Sequence, residues 1–171
     1  MRIVFITIVY VLFGILIIAG GRQVNSLIED IGLWVSFFVI VRYRHYIAEL
    51  LANIHLPRWV IYLVSALPFM LVEENVNCLP TGCTLVPPTI PMLVIFLVIV
   101  YFVTLKIRAP KFWYILGGAC AVGLLWEWFV GAAHTAFFAL PLFWFVYVSI
   151  WTLMSYAYFT VIPLTYLLSK K

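Results

Sequence analysis

One residue stands out for the chemistry it could carry. Glu127 lies in Trp126-Glu127-Trp128, inside an otherwise apolar run. An ionised carboxylate in such a run is expensive, so it must be protonated, paired or set against a wet cavity. Seven residues on, His134 falls on nearly the same helical face, roughly 10 Å away along the axis. Cys120, seven residues earlier, shares that face. A glutamate and a histidine in this relation can act as an acid–base pair. The plainer alternative is a protonated Glu127 that hydrogen-bonds a neighbouring helix.

Glu73 and Glu74 form the second group. They end an apolar run, where the helix dipole disfavours negative charge, and adjacent carboxylates repel each other. A cation, a shared proton or simple solvation at an interface would relieve both. Asn75 and Asn77 add amide groups. Glu73, Glu74, Glu127 and His134 are therefore the candidate catalytic residues. Together they are also the candidate ligands of a divalent metal, whose identity the residue types do not specify. Cys78 and Cys83 bracket Leu-Pro-Thr-Gly, a tight-turn sequence, and are expected to form a disulfide bracing the segment after the glutamates.

The elements that must position these groups follow from composition. Of 171 residues, 67% are hydrophobic and 9% charged, and the mean hydropathy is +1.18. A soluble domain is about a quarter charged. These values exclude a soluble enzyme, a disulfide-stapled secreted module and a nucleic-acid-binding domain. The expectation is a single all-α, polytopic transmembrane bundle over residues 1–171. Continuous apolar runs, rather than alternating ones, argue against a β-barrel.

Six runs are long enough to consider as spans. The first, Ile3–Ala19, is read as a span. Ala19 and Gly21 also suit a signal-peptide cleavage site, but the basic region before the run is thin. In the second, Ser26 reads as an N-cap with Glu29 three residues on. Leu27–Val41 covers only roughly 22 Å, and Arg42, Arg44 and His45 follow. Ile47, Leu50, Leu51 and Ile54 then recur at helical spacing, as in a helix lying at the membrane surface. Pro57 opens the third run, which reaches Val76. Pro87, Pro88 and Pro91 open the fourth, ending at Leu105. The fifth runs from Phe112 to about Ala133, and the sixth from near Pro141 to Leu168, with a kink expected at Pro163. The alternative is five spans plus an interfacial helix.

Charge placement orients the chain. With both termini inside and six spans, nine of the ten basic residues fall on the cytoplasmic side and only Arg22 outside. Five of the six acids fall in the outer half, Glu49 being the exception. The five-span alternative exchanges Arg2 for Arg22 and agrees from Arg58 onward. In both, the Cys78–Cys83 loop is extracytoplasmic and the C-terminus cytoplasmic.

Intramembrane hydrolase patterns are not met. CPBP-type endopeptidases place an arginine four residues after the second glutamate, where this chain has Cys78, and the Gly-x-Ser-Gly of rhomboid-type proteases does not occur. The expected partners are the lipid bilayer and either a lipid-like substrate or another membrane protein, with no nucleic acid. Three functional classes follow. The first expectation is a membrane-assembly or partner-binding protein, in which Glu127 faces lipid or a partner. The others are an intramembrane enzyme acting on a lipid-like substrate and a proton- or cation-conducting subunit. An enzyme requires Glu73, Glu74, Glu127 and His134 to converge in one outward-facing acidic pocket, within catalytic reach of each other. A conduit requires a further polar group deeper on the inner side, for which Cys120, Thr104 and Ser65 are the candidates.

Overall fold

A computed structural model describes residues 24–77, 90–130 and 141–170. All regular structure among them is helical: α1 (Val24–Ala52), α2 (Arg58–Asn77), α3 (Ile90–Lys106), α4 (Phe112–Phe129) and α5 (Leu142–Ser169). The first expected span, the Cys78–Cys83 disulfide, Glu74's side chain and His134 lie outside the described residues. The chain divides into two compact units, residues 1–37 and 38–171. In the first, the described element is the beginning of α1, where the Ser36 hydroxyl donates to the Leu33 carbonyl at 2.8 Å. The packed helices belong to the second.

Two helices, Phe112–Phe129 and Phe145–Ser169, are long and apolar enough to cross a membrane. The described residues therefore do not reach the six spans expected from the runs. α3 is equally apolar but has 17 residues. α1 carries Glu29, Asp30, Arg42, Arg44 and Glu49, and α2 carries Arg58, Glu73 and Glu74, which lowers the hydropathy of both.

α1 corrects two expectations. The helix begins at Val24, so Ser26 lies inside it rather than at its cap. It also continues without a break past Arg42, where a span was expected to end and a separate surface helix to start. The reason is local: no Gly or Pro occurs between Leu33 and Leu56, so nothing interrupts the backbone ladder. The packed face differs too. Ala48 is buried with Ile61 and Tyr166, and Leu51 and Ala52 join them. Leu50 and Ile54 of the expected apolar stripe stay exposed.

The remaining boundaries follow proline and charge. The Pro57 carbonyl accepts the amides of Val60 and Ile61 at 2.9 and 3.2 Å, opening α2. Pro91 sits in the first turn of α3, whose last turn ends on Lys106, favourable to the helix dipole. The Lys111 carbonyl opens α4 by accepting from Tyr114 and Ile115, and the Pro141 carbonyl opens α5 by accepting from Phe145. α5 runs through Pro163 as one helix.

α5 is the hub. Two-thirds of its spanning window (67%) is buried, against 28% for α4. It packs extensively on both α2 and α4, and more lightly on α3, while α2 also packs on α3. Rings mark these seams. Phe69 meets Tyr158 edge-on at 5.6 Å, and Phe96 meets Tyr156 at 5.0 Å.

Candidate functional site

The site is built on one face of α4. Leu116, Ala119, Cys120 and Gly123 are its buried residues. Glu127, one turn beyond Gly123, continues that row. Gly123 makes room for the contact, since a Cβ there would overlap the Tyr156 ring. The absent side chain lets the ring lie against the α4 backbone. From there the Tyr156 hydroxyl donates to Glu127 Oε1 at 3.0 Å. Phe96 of α3 meets the same ring edge-on at 5.0 Å.

At the next residue of α4, a second polar contact joins the same helices. Trp128 Nε1 donates to Ser149 Oγ at 3.3 Å, and Ser149 donates onward to the Phe145 carbonyl at 2.7 Å. The Trp128 indole stacks on Phe145 at 5.2 Å and 25°. Glu127 is thus half-buried, framed by rings, and turned toward α5. The expectation that it faces lipid or a partner is not met. Of the residues expected to share its face, Cys120 is buried on it and His134 lies outside the described residues.

Glu73 is buried in α2, at 4% exposure, on the face that also holds Tyr62, Ala66 and Met70. This rules out the solvated interfacial position considered for it. Among the described residues no three His, Cys, Asp or Glu side chains gather as a metal site would require.

Sequence reasoning missed Tyr156, because a tyrosine in an aromatic-rich span carries no signal of its own. Its position opposite the one glycine that Glu127 follows by four was the available clue. The buried hydroxyls of α5 were missed as well. Ser149, Thr152 and Thr165 donate to carbonyls four residues back. The buried hydroxyls of Ser155, Thr160 and, on α2, Tyr62 have no hydrogen-bond partner among the described residues.

The small residues of α4 divide. Ala119 and Gly123 face α5, whereas Ala121 is exposed and a Cβ at Gly117 or Gly118 would meet nothing within 4 Å. At the opposite end of α4, the Arg44 guanidinium lies over Phe112 and Trp113, at 4.6 and 5.1 Å from the ring centres. It also donates to the Val41 carbonyl at 3.0 Å. Burial lowers its pKa from the ordinary arginine value.

No protein-family model, curated protein or solved structure matches this chain, so the reading of the site rests on its geometry.

Proposed function

We propose that this is an integral membrane protein that transfers a proton to or from an apolar, lipid-like molecule. Glu127 is the proton-handling group and Tyr156 the residue that holds it. One observation carries the reading: Glu127 lies on the packed face of α4 and accepts the Tyr156 hydroxyl. A carboxyl needed only to pair with another subunit would face outward. One that performs acid–base work must point into the bundle, oriented by a donor. Surrounding rings suit an apolar substrate and any positive charge that develops on it. Glu73, buried on α2, stays in the candidate set with Glu74 and His134. The basic residues Arg58, Lys106, Arg108 and Lys111 support a cytoplasmic side at those helix ends, with the glutamates toward the outer half.

The test uses heavy water. The purified protein is incubated in D2O with a total lipid extract, and the lipids are analysed by mass spectrometry. The expected result is deuterium in one lipid species with the wild type and none with Glu127→Gln. Equal labelling by both proteins, or none by either, overturns the proposal.

The open stretch of α4 at Gly117, Gly118 and Ala121 favours a second reading, in which the protein docks another membrane helix there through close backbone approach. A photo-crosslinking residue at position 118 would then capture one discrete protein, and only lipid if the reading is wrong.

A further inference from the structure

An apolar groove of about 300 Å3 opens between α1, α2 and α5, away from Glu127. Ile47 and Leu51 of α1, Leu56 of the connection, Val64 and Phe69 of α2 and Ile162 of α5 form most of its wall. Ser65 is its polar liner, and that hydroxyl is already turned into its own helix, donating to the Tyr62 carbonyl at 3.0 Å. The groove therefore offers a guest nothing but apolar contact, and its volume is at the small end of ligand pockets, about 300–1,000 Å3. It suits a length of a single hydrocarbon chain.

Its rim has the opposite character. Lys170 Nζ lies 3.4 Å from the Ala52 carbonyl, immediately after the groove residue Leu51. One ammonium proton is used there, leaving two for another acceptor. Arg58, two residues after Leu56, is exposed. It acts electrostatically on Tyr166, which packs with the groove residue Ile61. The nearby acid, Glu49, is exposed and two residues from both Ile47 and Leu51, so it projects from the other side of α1. The rim is thus basic and the wall apolar.

We infer that this groove holds one acyl chain of an anionic phospholipid, with the phosphate bound by Arg58 and Lys170. The inference rests on the membrane reading above but not on proton transfer by Glu127. A zwitterionic lipid would fill the wall equally well but would bring its own cation to a rim that already has two.

The full-length protein, purified in mild detergent, is offered equimolar phosphatidylglycerol and phosphatidylcholine with identical chains, and bound lipid is read by native mass spectrometry. The expected result is a preference for phosphatidylglycerol, weakened about fivefold by each of Arg58→Gln and Lys170→Gln. Arg108→Gln should leave it unchanged. Val64→Trp, which fills the groove without touching the rim, should remove the retained lipid and serves if the charge variants fail to fold. Equal retention of both lipids, or a preference that survives the double charge variant or Val64→Trp, overturns the inference. Glu127→Gln should keep the lipid preference while losing deuterium transfer, so the two readings fail separately.

Discussion

α5 meets its two main neighbours in different ways. Toward α4 the seam is polar and notched: Gly123 admits the Tyr156 ring, Tyr156 bonds Glu127, and Trp128 bonds Ser149. Toward α2 it is apolar: Phe69 meets Tyr158, Ile61 packs with Tyr166, and Ile162 lines the groove shared with Val64 and Phe69. Lipid is as apolar as leucine, so an apolar seam gains from close packing alone. A polar seam gains less from each bond but permits fewer alternative registers. The difference suggests a division of labour, with α2 supplying bulk adhesion and α4 supplying a fixed position for Glu127.

Substitutions can break that contrast. The largest effect is expected at the apolar seam, where Ile162→Ala should cost about 2–5 kcal/mol in unfolding from micelles. Next is Gly123→Ala at the polar seam, at about 1–3 kcal/mol, because its new Cβ meets the root of the Tyr156 ring rather than a movable tip. Combined with Tyr156→Ala it should add little to that change alone, the non-additivity expected of a direct contact. Tyr156→Phe removes only the hydroxyl and should cost about 0.6 kcal/mol. It should nevertheless reduce deuterium transfer, separating orientation of Glu127 from stability. Trp128→Phe should be smallest, below about 0.6 kcal/mol, since stacking on Phe145 can persist. If Gly123→Ala or Tyr156→Phe destabilises more than Ile162→Ala, the division of labour is wrong.

The helices were largely legible in the sequence. Pro57 and Pro141 each stand one residue before the helix they were expected to open, because proline acts on the local backbone. The continuity of α1 was not legible from hydropathy. Charges at Arg42 and Arg44 mark where the chain prefers water, not where its hydrogen-bond ladder ends. Glu127 was legible as an anomaly, since any acid in that run must be accommodated. What accommodates it was not, because Tyr156 lies 29 residues away and only the packing of α5 brings it near. The division of the small residues of α4 into a packed and an open side was equally hidden. Composition shows that close approach is possible, not which side uses it.

The hub position of α5 has a consequence for biosynthesis. Among the described helices it is the last to leave the ribosome, yet it completes the contacts of α2 and α4. Until it packs, Glu127 and Trp128 lack the groups that satisfy them. The nascent chain must therefore wait, for seconds at ordinary synthesis rates, with its costliest residue unpaired. A chain stopped before α5 would keep Glu127 in that state and should be a preferred target of cellular quality control.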